Sequence, residues 1–328
     1  MPLMMSVDRD VLPSLWHGLR LCALIFGFLG PGVIRTPAAT IHVDHSATGL
    51  NNGSSWQDAF TDLAEACNLA AEGDEIWVAE GTYTPTTTGD RFAGFRLKSR
   101  VGLFGGFDGH EARREERRIA EHPTILSGDI GVLGYRPDNC YHVITVASVE
   151  EVTLSGMTIR DGYTQTGCGE PERSGGGIDV FFSANVKITN CIIEDNFGAY
   201  GGGLGVSKEY AQAVCSVLVD RCVFRHNSSL NGGGIQVQGS SYCRVSNSLF
   251  VGNSAVSRGG GIQNNYSISD LVNCTFYGNT AGSGNSVLHY CGMTHGLNVT
   301  NCILWNSASQ AQCDFMVEGP AQPQLTVV

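Results

Sequence analysis

Asp161, Asp195 and His226 each stand at the same position of a recurring phrase, and Arg160, Glu194 and Arg225 stand one position earlier. Carboxyl groups brought to roughly 5 Å can divide the roles of acid and nucleophile in glycoside cleavage. They can also share a proton or hold a hard cation such as Ca2+. The alternating signs of Arg160, Glu194 and Arg225 equally describe an outward charge ladder that carries no chemistry. Either reading depends on the element that stacks these residues.

The phrase itself specifies that element. "IEDNFGAYGGG" begins at Ile193, "FRHNSSLNGGG" at Phe224, "FVGNSAVSRGGG" at Phe250 and "FYGNTAGSGN" at Phe276. Aligned on Asn196, Asn227, Asn253 and Asn279, the copies are separated by 31, 26 and 26 residues. Five positions before each Asn stand Cys191, Cys222, Ser248 and Cys274, and a weaker copy, "NCILWN", carries Cys302. Glycine triplets begin at Gly175, Gly201, Gly232 and Gly259. Periods of this length mark units that bury a core only against their neighbours. Inside each unit apolar residues alternate, as in "VTLSGMTI" and "VKITNCII", which is strand periodicity. No unit has room for a helix as well. The expected fold is all-β, a parallel β-helix whose coils stack about 4.8 Å apart.

Stacking assigns a role to each column. Asn tolerates the left-handed backbone of a sharp turn, and its amide both donates and accepts, so copies can form a ladder. The glycines admit the next bend without a Cβ clash. Cys191, Cys222, Cys274 and Cys302 should point inward as an unpaired thiol stack, because strand spacing exceeds the roughly 3.8 Å Cβ separation of a disulfide. Cys140, Cys168, Cys215, Cys243, Cys291 and Cys313 lie outside that column and are free to pair.

Three segments follow. Residues 1–39 read as an export signal, with the apolar run Leu21–Ile34 followed by "TPAAT". Residues 40–150 form an N-terminal cap and the first irregular coils. There Trp56, Phe60, Leu63, Cys67 and Ala70 fall on one helical face, with Ser55 as N-cap and Asp58 at N3. An amphipathic helix there would cover the open end of the solenoid. Residues 151–328 hold the regular repeats, with no cover expected at their end, so that a partner or further chain would complete it. An insertion, Tyr163–Ser174, emerges beside Asp161 and would wall any site there.

The 328 residues include 43 glycines and 10 prolines, with 42% hydrophobic content and a net charge of -11. Nucleic acid is excluded as a partner, since phosphate binding needs a basic stripe. The one dense basic run, Arg113–Arg118, is diluted by Glu115 and Glu116. The negative balance weighs against polyuronate ligands unless Ca2+ bridges them. No zinc spacing, phosphate loop or nucleophile triad appears, and no cofactor is expected. No membrane span is expected beyond the signal.

The apolar-x-x-Asn phrase with its glycine triplets resembles the repeat of the polymorphic outer membrane proteins, whose β-helical passengers act at cell surfaces. The block "ATGLNNGSSWQDAFTDL" through "PTILSGDI" resembles the start of secreted bacterial right-handed β-helix proteins, a fold shared with pectate lyases and polygalacturonases. These resemblances imply a right-handed coil and an exported or cell-surface protein that presents a surface for adhesion or glycan binding. The alternative is a polysaccharide lyase or glycoside hydrolase built on Asp161, Asp195 and His226, in which Ca2+ would have a place. A structural envelope component is a further alternative.

Overall fold

The computed structural model describes residues 38–164, 174–208, 215–290, 296–305, 314–319 and 324–327. The expected signal, 1–39, lies outside them apart from its last two residues.

One coil shows the plan. Val186–Thr189 runs along a first sheet, Ile192–Glu194 along a second, Phe197–Tyr200 along a short sheet, and Leu204–Ser207 along a third. The chain then returns to the first sheet at Ser216–Asp220. Every neighbouring pair of described strands is parallel, and most run in unbroken register: Ile188 faces Val219, Ile193 faces Phe224 and Leu204 faces Ile235. The first sheet holds ten strands, the second and third eight each, and the short sheet four. The result is a right-handed parallel β-helix of about eight turns. A strand crossing over to a parallel neighbour in this hand keeps the natural twist of the chain.

The interior is a set of columns. Phe224, Phe250 and Phe276 are fully buried and stack with ring centroids 4.9 and 4.6 Å apart, nearly parallel. Aliphatic residues of the first and third sheets, such as Val217, Val245, Ile235 and Ile262, fill the space around them. Cys191, Cys222 and Cys274 are buried in this core with Cys302 packed against it, all four free thiols. Ser248 takes the place between Cys222 and Cys274, its hydroxyl accepting from the Cys222 N–H at 3.1 Å. Cys140, Cys215 and Cys243 are free as well, and burial pushes the thiols of Cys140 and Cys243 up to about 12. Cys168, Cys291 and Cys313 fall outside the described residues.

The N-terminal helix is shorter than the sequence pattern implies. It spans Leu63–Leu69 and is capped by Asp62, whose carboxylate accepts from the Ala64 N–H at 2.7 Å. Ser55 does accept from the Asp58 N–H at 3.1 Å, but this closes a turn and not a helix. The reason lies at Phe60, which is drawn into extended pairing: its N–H donates to His42 O, and its carbonyl accepts from the Asp44 N–H. Leu63, Ala66 and Cys67 close the end of the core. Trp56 packs elsewhere, with Trp77, Phe104 and Phe107. Among the described residues no helix is long and apolar enough to cross a membrane.

Candidate functional site

Each coil turns through left-handed residues, and their places differ from expectation by one. Positive φ falls on the residue before each ladder Asn, Asp195 (54°), His226 (55°), and Gly252 and Gly278 (62° each), and on Asp161 (66°), which precedes Gly162 at the equivalent place of the coil before. Asn, Asp, His and Gly are the residues that adopt this conformation most readily. The residue types of this column therefore have a conformational explanation. The Asn that follows is freed to turn inward.

Asn196, Asn227, Asn253 and Asn279 are 0–1% exposed and joined head to tail. The Nδ2 of Asn196 donates to Oδ1 of Asn227 at 3.0 Å, and the same bond links Asn227 to Asn253 and Asn253 to Asn279. The second amide hydrogen goes to a carbonyl of the preceding coil, as from Asn227 to Ile193 at 2.8 Å. The ladder is wholly internal and available to no ligand.

Around it the outward residues pair across coils. Arg160 faces Glu194 and Glu194 faces Arg225 in register. The Glu194 carboxylate, largely buried, pairs with Arg225 at 2.5 Å, and Arg160 pairs with Asp161 at 3.2 Å. Ser127 donates to Asp161 at 2.8 Å. Burial raises the Asp161 pKa; the Ser127 hydrogen bond and the Arg160 charge oppose this, and the Asp129 and Asp195 carboxylates add to it. Asp161 and Asp195 thus occupy neighbouring coils with electrostatic contact. His226 is exposed, and its ring lies 3.0 Å from where a Cβ of Gly252 would stand. Most of the Tyr163–Ser174 insertion, 165–173, lies outside the described residues.

A larger concavity occupies the outer face of the first sheet. Two hollows of about 600 and 480 Å3 adjoin there and share Glu151, Thr153 and Lys187. Register builds the floor: Thr153, Lys187, Leu218 and Arg244 form one column across successive coils. Six strands, from Glu75–Ala79 to Tyr242–Ser246, contribute to the lining, a trough of about 24 Å at ordinary strand spacing.

Most of its charges are mutually satisfied. Arg100 pairs with Glu72, Glu150 and Glu151, Arg114 with Glu75, and Arg221 with Asp220. Tyr242 donates to Asp270 at 2.6 Å, beside Arg244. Two cations differ. Lys187 is exposed and makes no ion pair among the described residues. Arg117 donates to the carbonyls of Gly105 and Ser155, at 3.1 Å each, and to the Ser155 hydroxyl at 2.9 Å, with no carboxylate partner among the described residues. Burial and the neighbouring Arg114 charge push the Arg117 pKa down.

A second Asn ladder runs on the outside of the later coils. Asn247, Asn273 and Asn301, all left-handed, link outward: Asn273 donates to Asn247 at 3.1 Å and Asn301 to Asn273 at 2.7 Å. The signal was present as an Asn directly before the Cys column, in "TNC", "SNS" and "VNC".

The right handed beta helix region family matches residues 135–281. No curated protein matches the sequence. Among solved structures, pectate lyase Pel9A superposes with a TM-score of 0.55 at 12% identity, over 81% of this chain and 63% of the lyase. The chain thus spans less than two thirds of that enzyme's length. The Escherichia coli ybhc structure gives a TM-score of 0.43 at 12% identity, covering 91% of this chain and 88% of that one. Pectin methylesterase from Aspergillus niger gives 0.41 at 10%, covering 87% and 86%. At 12% identity the likeness to the lyase is one of fold.

Proposed function

We propose that this chain is an exported or cell-surface β-helix that binds an extended acidic glycan in the trough on its first sheet. The observation that carries the reading is the pair of cations without an ion pair among the described residues, Arg117 and Lys187, in a trough whose other arginines all pair with carboxylates. An arriving carboxylate or sulfate would offset the burial and the like charge that Arg117 bears. Hydroxyls at Thr153, Ser155, Thr189 and Ser216 surround the two cations and suit a ligand rich in hydroxyl groups. The local charge thereby answers the objection that a chain of net charge -11 should repel polyuronates.

The test is isothermal titration of the purified chain with neutral and acidic polysaccharides, with and without Ca2+. Acidic polymers should bind, more weakly as salt rises. Lys187→Glu should weaken that binding at least tenfold while the circular dichroism stays unchanged. Equal affinity of wild type and Lys187→Glu, or no acidic polymer bound, would reject the reading. Chain-length analysis of the recovered polymer decides for the enzymatic alternative if fragments appear.

A further inference from the structure

A second concavity lies on a different part of the coil, where the short sheet meets the third sheet. The turn between them passes through Gly201, Gly232 and Gly259, all with positive φ (70°, 67° and 65°). A Cβ at Gly232 would stand 2.5 Å from the Ile235 carbonyl, so the bend stays this tight only with glycine. The outer faces of the two sheets thereby meet at an angle and enclose a cleft of about 240 Å3.

Its floor is unusual. Gln236 and Gln263 face each other in register and are 3% exposed each. Neither Gln236 Oε1 nor Gln263 Oε1 has a hydrogen-bond partner among the described residues, and Asn231 Oδ1 on the facing wall has none either. The Gln236 amide is held in place by donating from Nε2 to Gln238 Oε1 at 2.9 Å. A buried acceptor left without a donor is destabilising, and three such acceptors share one small cleft. Such a set is what a ligand presenting several donors would find already assembled.

The walls identify its chemistry. Arg258, the one cation of the lining, is matched by Glu318 at 3.0 Å and lies 5.3 Å from the Tyr290 ring centroid. The cleft therefore offers no free charge to an anion or a cation. Tyr200 and Tyr290 supply ring surface, and Gln238 and Asn265 add further amides at the rim. Hydroxyl groups both donate and accept, so they satisfy a side-chain amide whichever way it is turned.

We propose that this cleft is a separate binding site for a neutral sugar ring, held by Asn231, Gln236 and Gln263. It does not rest on the trough reading, because it shares no residue with the trough and takes an uncharged ligand.

Saturation-transfer NMR on the purified chain with the methyl glycosides of common neutral hexoses tests it. At least one glycoside should receive saturation, and Gln263→Met, which keeps the length but removes the amide, should weaken its binding at least tenfold. Asn265→Ala at the rim, where folding is not at stake, should weaken it severalfold, while Lys187→Glu should leave it unchanged. The proposal is overturned if no glycoside receives saturation. It is equally overturned if Gln263→Met and Asn265→Ala bind as the wild type does. A rise in melting temperature for Gln263→Met together with no sugar signal would show that the cleft holds solvent only.

Discussion

Asn253 uses its whole hydrogen-bonding capacity. Its Nδ2 donates to Phe224 O at 2.9 Å and to Asn279 Oδ1 at 3.0 Å, while its Oδ1 accepts from the backbone N–H and Nδ2 of Asn227 at 3.1 and 3.0 Å. Asn253→Ala strands several buried groups at once and should cost about 3 kcal/mol, read as a lower denaturant midpoint at unchanged slope. An unchanged midpoint would contradict the ladder's energetic role. In the left-handed column one position before the ladder, Asp161 carries the opposite kind of burden. Burial raises its pKa first, and the hydrogen bond from Ser127 and the Arg160 charge only partly oppose that. A carboxyl whose folded pKa lies above its unfolded value binds its proton more tightly when folded. Stability therefore falls as pH rises from the unfolded carboxylate range, about 3.9, through the folded pKa, and the penalty persists above it. Asp161→Asn keeps the left-handed turn and removes the titration. Its stability relative to the wild type should improve between pH 3 and pH 7, measured by urea unfolding across that range. A flat difference would show that Asp161 does not titrate abnormally. At this scale the recurring Asn was legible because stacking repeats it. The left-handed residue was misplaced by one, since Asp, His, Asn and Gly all tolerate that conformation and only the backbone shows which one adopts it.

At the level of elements, two devices close the N-terminal end. The helix Leu63–Leu69 plugs the core with Leu63, Ala66 and Cys67, and Phe60 pairs with the edge strand Thr40–Val43 through an isolated bridge to Val43. The amphipathic pattern from Trp56 to Ala70 merged the two, because Phe60 is apolar in either role. Leu63 is 1% exposed, and Leu63→Asp would place a carboxylate in the end of the core with no partner. We expect concentration-dependent association, visible by sedimentation velocity, as the coil end opens and offers strand edges to other copies. A variant that stays monomeric with native circular dichroism would show that the helix is not the closing element. The regular strands follow their sequence more closely. "VKIT" at Val186–Thr189 and "SVLVD" at Ser216–Asp220 alternate buried with outward residues as their composition requires.

For the whole molecule, the solenoid divides interior from exterior very unevenly in the sequence. Every coil must place the same kinds of residue against its neighbours, so the core columns, the Asn ladder and the glycine bends repeat and can be read from one chain. The outer columns are under no such constraint. Thr153, Lys187, Leu218 and Arg244 share one line yet have no common chemistry. Whether such a line lies on a ridge or in a trough depends on the angle between sheets and on segments outside the repeat. Arg100, Arg114 and Arg117 reach the trough from the irregular coils that precede the repeats. The unmatched amides of Gln236 and Gln263 follow the same logic, since "IQVQ" and "IQNN" read as ordinary half-exposed strands. The sequence by itself determined the coil, its core and the fold class, because those arise from contacts that recur at a fixed spacing. The tertiary structure alone decided which outward residues converge and which charges remain unpaired, because convergence depends on the curvature of the assembled coil and on contacts between segments with no repeat to relate them.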